Sequence, residues 1–495
     1  MHRKRICIIG SGFGGLAAAV RLQSRGYEVH LLEARDQLGG RASVYRQDGF
    51  TFDAGPTVIT APFLFEELFA VAGRRLQDAV TLVPLDPFYR IEFADGRFFE
   101  YNGCPQEMER RISDFAPGDL DGYRAMMRHA RAIFQKGFLE LADKPFLRLS
   151  AMLRIAPDLI RLQSYKTVYQ FVCSYIQDEH LRRVFSFHPL LVGGNPLETT
   201  SIYALIHYLE REWGVHYALG GTGAIVQALG QLFVQLGGRI YLKQPVSRIL
   251  VTNGRACGVE TADGLTLAAD AVISNADVAN TYRLLVPAEA RKKYTDSRLE
   301  RMRYSMSLFV IYFGTDRQYP EIRHHTIILS PNYQRLLQQI FREKTLSDEI
   351  SLYLHRPTAT DPQMAPPGCD CFYALAPVPN QESGIDWRVQ AEPFQERVLD
   401  LLEARYLKGL RAHLKTVRIF TPLDFERELN SFRGAGFSFE PIFRQSAWFR
   451  PHNQSEDVEN LYFVGAGTHP GAGVPGVLCS AKIVEKLICQ HLPLN

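Results

Sequence analysis

The 495 residues contain no apolar run long enough to cross a bilayer, which takes about 20 consecutive apolar residues. No two cysteines form a C-x-x-C. The eight that exist (Cys7, Cys104, Cys173, Cys257, Cys369, Cys371, Cys479 and Cys489) are scattered without zinc-like spacing. That pattern excludes a dithiol redox centre, gives no reason to expect a metal, and fits the reduced thiols of a cytosolic protein. Cys369 and Cys371 follow Pro366-Pro367-Gly368 and read as a loop. A net charge of +3 is too small to imply a nucleic-acid partner. There is no repeat and no low-complexity tract, and a strand pattern beginning at residue 5 leads us to expect no signal peptide.

What is present is a globular composition, 46% hydrophobic and 22% charged, in a chain long enough for two or three domains. The N-terminus carries the clearest pattern. Arg5-Ile6-Cys7-Ile8-Ile9 reads as a buried parallel strand. It enters Gly10-Ser11-Gly12-Phe13-Gly14-Gly15, a complete G-x-G-x-x-G, followed by a helical pattern with Gly26 at its end. A second strand, Val29 to Leu32, ends in Glu33. Strand, glycine turn, helix, strand and acid at this spacing predict a dinucleotide-binding unit. Gly10 makes the tight turn, Gly12 admits a pyrophosphate, and Gly15 lets the helix pack on the strand. The first helical amides favour phosphate charge, and Glu33 is placed to accept from ribose hydroxyls. Gly39-Gly40-Arg41 offers a second set of close-approach glycines with a cation for phosphate.

The C-terminus is the second anchor. The strand Leu461 to Gly465 runs into a loop from Ala466 to Gly476, and a helix from Val477 to about His491 follows. Glycines there permit approach to a flat ring, and a helix N-terminus stabilises negative charge in front of it. Between the anchors, strands are expected at Val80 to Pro84, Phe88 to Phe93 and Arg97 to Tyr101, then helices from about Pro105 to Trp213. Gly220-Gly221-Thr222-Gly223 reads as a helix start fed by no strand. The helix Ala224 to Leu236 and strands at Arg239 to Leu242, Val246 to Val251, Ala256 to Thr261 and Ala269 to Ser274 return to the nucleotide fold. From Tyr294 to about Phe443, further strands are expected to complete an antiparallel sheet begun at Val80.

Together these segments predict an α/β protein. A Rossmann-like cofactor domain is assembled from 1–75, 220–290 and 444–495. An antiparallel-sheet substrate region comprises 76–104 and 291–443, and a helical, candidate membrane-facing region comprises 105–219.

The N-terminal stretch with Phe52-Asp53-Ala54-Gly55-Pro56-Thr57 resembles the flavoprotein family of amine oxidases, protoporphyrinogen oxidases and carotene desaturases. The C-terminal Gly465-Ala466-Gly467-Thr468-His469-Pro470-Gly471-Ala472-Gly473-Val474-Pro475-Gly476 is similar to the signature of bacterial-type phytoene desaturases. So are Phe50 to Thr60, Phe185-Ser186-Phe187-His188, Val192 to Pro196, Leu209 to Gly214 and Gln445 to Asn453. The resemblance runs nearly end to end.

It implies FAD held by Gly10, Ser11, Gly12, Phe13, Gly14, Gly15, Glu33, Ala34, Arg35, Gly39, Gly40, Arg41, Gly55, Pro56 and Thr57. Val246, Gly465, Ala466, Gly467, Gly473, Val474 and Pro475 complete the set, with the Val246 segment against the adenine and the strand ending Ile273-Ser274-Asn275-Ala276-Asp277 beside the cofactor. It implies an apolar tunnel for phytoene and partly desaturated carotenes, with lycopene as product and a quinone or oxygen as electron acceptor. The expected location is cytoplasmic, peripheral on the inner face of a membrane.

Arg154 and His469 are the catalytic candidates. The family's acidic position three residues before Arg154 is occupied by Ala151 here, and Arg154 equally suits a headgroup or a pair with Asp158. Pro145 to Val172, apolar with Arg148, Arg154, Arg161 and Lys166, is the docking candidate. Three other readings stay open: a carotenoid isomerase with the same cofactor, an amine or porphyrinogen oxidase, and a non-enzymatic prenyl-binding escort.

Overall fold

A computed structural model of the chain describes residues 3–494. The apolar run Arg5–Ile9 is the middle strand of a five-stranded parallel sheet. The order is Leu461–Phe463, Ala271–Ser274, Arg5–Ile9, Glu28–Leu32 and Arg239–Tyr241. Alternation along the middle strand explains its double burial. Ile6 and Ile8 pack against the helices Phe13–Ser24, Thr222–Gln235 and Val474–His491. Cys7 and Ile9 face Ile249 and Val259 of the antiparallel ribbon Val246–Thr252 and Arg255–Thr261. A strand covered on both faces must be apolar on both, which is why it reads as a continuous run.

The second sheet has seven strands. Leu414–Phe420, Ser307–Thr315, Asp370–Val378, Leu352–His355, His325–Ile328, Tyr89–Glu92 and Phe98–Tyr101 lie in that order. Its two faces diverge in role. Phe309, Ile311 and Phe313 bury against Trp387, Phe394 and Val398 of the helix Trp387–Arg405. Leu308, Val310 and Tyr312 point the other way, into the interior that holds the site. Strand alternation thus separates a structural core from a working surface.

Several expectations are corrected. The sheet is mixed, because His325–Ile328 runs parallel to Tyr89–Glu92. The strand expected at Val80 to Pro84 does not open it. Leu82–Pro84 pairs instead with His216–Ala218, so a strand does precede Gly220. The helix nevertheless starts at Thr222. Gly221 has φ +76, and a Cβ there would lie 2.4 Å from Asp53 Oδ1, so only glycine lets the helix end close over that carboxylate, which accepts from the Thr222 N–H at 2.7 Å. The final helix begins at Val474 rather than Val477, with Pro475 in its first turn, where a missing N–H costs nothing. Cys371 lies in a strand rather than a loop. Its neighbour Asp370 is tied down by Arg356, Thr358 and the Tyr319 N–H.

Candidate active site

The two N-terminal glycine segments dock on one another. The Gly39 N–H donates to the Ser11 carbonyl at 3.1 Å, and Gly10 and Gly39 take φ of +90 and +111, a region other residues adopt only with strain. A Cβ on Gly15 would lie 2.1 Å from the Gly10 carbonyl oxygen. Gly15 is therefore a packing glycine beneath the turn and does not face the site. Gly14 and Gly465 meet over Asn275. Cβ atoms there would come within 2.4 Å and 2.9 Å of Asn275 Oδ1, so the N- and C-terminal loops converge on one side chain.

Glu33 ends the second strand buried, accepting from the backbone N–H groups of Ser11 and Arg35, both at 2.9 Å. Arg41 donates to Ser431 Oγ at 2.6 Å and faces the buried Asp277 carboxyl. Burial lowers the Arg41 pKa and raises that of Asp277.

The C-terminal loop is held from behind by Arg450, while Asn453 donates to the His469 carbonyl at 2.8 Å. The His469 ring stands edge-on to Phe146, centroids 4.9 Å apart, and neither ring nitrogen has a hydrogen-bond partner. Burial, with the nearby Arg450 charge, depresses its pKa to about 3, so it is neutral at pH 7.

These pieces line one cavity of about 800 Å³. It runs from Glu33 and Val246 past Thr57 and Ala466 to the apolar sheet face of Met306, Leu308 and Val310. Every cofactor residue expected from the sequence borders it except Gly15 and Gly467. Gly467 packs on Val278 and Ser438 instead. His469 borders it too. Arg154 does not: it lies on the exposed side of the helix Leu149–Arg161. Its guanidinium is not among the groups that line the cavity. Nor does it pair with Asp158, whose carboxylate is taken by Lys136 and Arg161.

Comparison with known proteins agrees with this geometry. The family model for flavin-containing amine oxidoreductases matches residues 13–484. A lycopene-forming phytoene desaturase of Pseudescherichia vulneris is 50% identical, covering 99% of this chain and all of that protein. One from Pantoea ananas is 49% identical over the same share of each. The chain belongs to the flavin-containing amine oxidoreductases, among the bacterial-type phytoene desaturases. An oxidoreductase of Methanosarcina mazei has the same fold, with a TM-score of 0.66 at 20% identity over 97% of this chain and 100% of that one.

The family's cofactor is FAD, and the residues fit it. Glycines stand where a side chain would fill the cradle, and the helix Phe13–Ser24 aims its first amides into it. The cavity also has polar groups that composition does not reveal. Two sets border the cavity. Thr57 Oγ1 bonds the hydroxyls of Tyr353 and Tyr373 at 2.8 and 3.0 Å. Glu210, fully buried, accepts from the Tyr89 hydroxyl at 2.7 Å and bonds His188 at 3.1 Å. His188 and Glu210 lie within stretches that carry the family resemblance. Their meeting could not be read from positions 22 residues apart.

Proposed function

We propose that the chain desaturates phytoene stepwise to lycopene. The observation that carries this reading is the continuity of the cavity: a flavin cradle opens directly onto a long apolar sheet face. A hydrocarbon offers no polar handle, so recognition falls to shape and apolar walls. Leu308, Val310, Ile327 and Leu329 supply such a wall.

Bound FAD supplies the acceptor for a hydride from an allylic carbon. The protein's residues do the rest. Gly12, Gly14 and the first turn of the helix bind the pyrophosphate, and Glu33 takes the ribose. The walls exclude water and keep two adjacent carbons in register. We assign the proton from the second carbon to a ring nitrogen of His469, which is neutral and partnerless in the cavity wall. Electrons then pass to a membrane quinone or to oxygen.

Docking on a membrane without spanning it completes the proposal. Among the described residues no helix is long and apolar enough to cross one. The helix Leu149–Arg161 supports docking through its two-sided apolarity. Met152, Ile155 and Leu159 border the cavity, while Leu149, Leu153 and Ile160 are 48%, 65% and 67% exposed. A helix apolar toward both the substrate and the outside suits an entrance facing lipid.

The test is phytoene in liposomes, a quinone under nitrogen, and chromatography of the products. Lycopene is expected. Recovery of unchanged phytoene would remove the desaturase reading, and a product with an unchanged number of double bonds would favour isomerisation.

A further inference from the structure

Behind the cavity wall three histidines meet. His325 begins the strand His325–Ile328 and His355 ends Leu352–His355, and the sheet register sets the two opposite each other. His324 precedes them at the same end. All three are buried, and one ring nitrogen from each lies within 4.8 Å of the other two. Their outer hydrogen bonds sort the nitrogens. His324 Nδ1 is bonded to Thr360 Oγ1 and His325 Nδ1 to the Tyr353 hydroxyl, both at 2.7 Å. That leaves His324 Nε2 and His325 Nε2 without partners, and both nitrogens of His355 as well. Asp53 adds a carboxylate: its Oδ1 accepts from Thr222, while Oδ2 has no partner and lies 3.9 Å from His355 Nε2.

A buried polar atom left unpaired is costly, and here three imidazoles bring nitrogens together, with the Asp53 carboxylate beside one of them. We propose that His324, His325 and His355, with Asp53, bind a divalent transition-metal ion of the zinc class. Imidazole nitrogens sit about 2.0–2.1 Å from zinc, hence roughly 3.4 Å from one another around a tetrahedral ion. Turning the rings inward by about 1–2 Å reaches that spacing. With Nδ1–H donating to the Thr360 and Tyr353 hydroxyl oxygens, the rings of His324 and His325 keep an Nε2 lone pair for the ion, the outer contact that orients a ligating ring.

The ion would be structural. It joins two strands of the large sheet to Asp53, immediately before the cofactor residues Gly55 to Thr57. It also sets His325, whose partner Tyr353 bonds Thr57 in the cavity wall. No spacing rule finds such a site, because the residues come from three separated stretches.

The experiment uses the full-length protein without a histidine tag, purified without chelator. Metal content is measured by mass spectrometry, followed by titration with zinc(II) and cobalt(II). About one ion per chain, a visible absorption band of tetrahedral cobalt and a raised Tm are expected. The His324→Asn/His355→Asn double variant should lose all three. X-ray absorption on the zinc-loaded wild type needs no variant and should give a shell of nitrogen and oxygen ligands near 2.0–2.1 Å. Flavin-binding wild type that takes up no zinc or cobalt would overturn the site and leave buried water as its occupant. So would a sulfur-containing shell.

Discussion

Arg450 donates a 2.6 Å hydrogen bond to the main-chain carbonyl of Ala466. The same guanidinium reaches the carbonyls of Thr468, Gln445 and Phe439 at 3.1–3.3 Å. It is 1% exposed, and among the described residues no carboxylate pairs with it. The cation is solvated by four backbone dipoles in place of water, two of them, at Ala466 and Thr468, in the C-terminal loop and two, at Phe439 and Gln445, in the segment behind it. The fork of donors is the property used here, and lysine lacks it.

Arg450→Lys should therefore fail to rescue. Each carbonyl left unpaired costs about 1–3 kcal/mol, so Arg450→Met and Arg450→Lys are both expected to lower stability by roughly 3 kcal/mol or more. They should also release flavin. Thermal unfolding and the flavin-to-protein absorbance ratio check this, and a Lys variant with wild-type flavin content would refute the bracing role.

Neighbouring glycines should fail in different ways. The obstacle to a Cβ on Gly12 is the end of a flexible side chain, Asn275 Nδ2, at 2.7 Å. On Gly15 it is the backbone oxygen of Gly10, at 2.1 Å. Gly12→Val is expected to fold and to lose FAD, because the branched side chain blocks pyrophosphate approach. Gly15→Ala is expected to destabilise the flavin-free protein by several kcal/mol, since strand and helix must separate. Urea unfolding of flavin-free samples distinguishes the two. Equal stability of both variants would contradict the division.

The sequence carried the cofactor half of the site well, for a physical reason. Close approach of backbone to phosphate demands glycine at fixed spacing, and Gly10 to Gly15 lie within one turn of chain. Long-range meetings left no such trace. Gly14 and Gly465 converge on Asn275 from three distant segments, and His188, Glu210 and Tyr89 assemble across the helical region and the sheet. Leu82–Pro84 read correctly as extended, but its partner could not be inferred, because alternation specifies a face and not a neighbour. Arg154, a candidate from its motif position, stands on the exposed side of the helix Leu149–Arg161.

Acid should expose the buried imidazole. The His469 pKa is about 3 in the folded chain, against roughly 6.5 unfolded. Between these values the unfolded state binds the proton and the folded state does not. Stability is therefore complete above about pH 6.5 and falls on acidification, by about 1.4 kcal/mol per pH unit for this group. His469→Gln should reduce the steepness of that loss between pH 6 and pH 4. If His469 also takes the substrate proton, the variant should lower kcat with flavin content preserved. A variant with unchanged kcat would move the proton acceptor elsewhere, Glu210 being the next group on the cavity wall.

The membrane proposal makes the sharpest demand on individual side chains. Leu153 and Ile160 stand exposed on the helix Leu149–Arg161, and burying such a side chain contributes roughly 2 kcal/mol. Its cations are not equivalent. Arg161 is already paired with Asp158 at 3.3 Å, whereas among the described residues Arg148 and Arg154 face no carboxylate. Each basic residue near an anionic surface contributes about 1 kcal/mol, and a charge already neutralised by a partner contributes less. Liposome sedimentation should show stronger binding to anionic than to neutral vesicles, weakened by salt. Arg154→Glu should weaken it more than Arg161→Glu does. Changing Arg148, Arg154 and Arg161 together to Glu should cost on the order of a hundredfold in affinity for anionic vesicles. Leu153→Glu with Ile160→Glu should reduce binding to both vesicle types, because it removes the apolar contribution. Detergent-dispersed phytoene should remain a substrate for these variants, since the residues changed do not border the cavity. If the triple charge reversal leaves both vesicle binding and turnover of liposomal phytoene intact, the entrance lies on another face of the molecule.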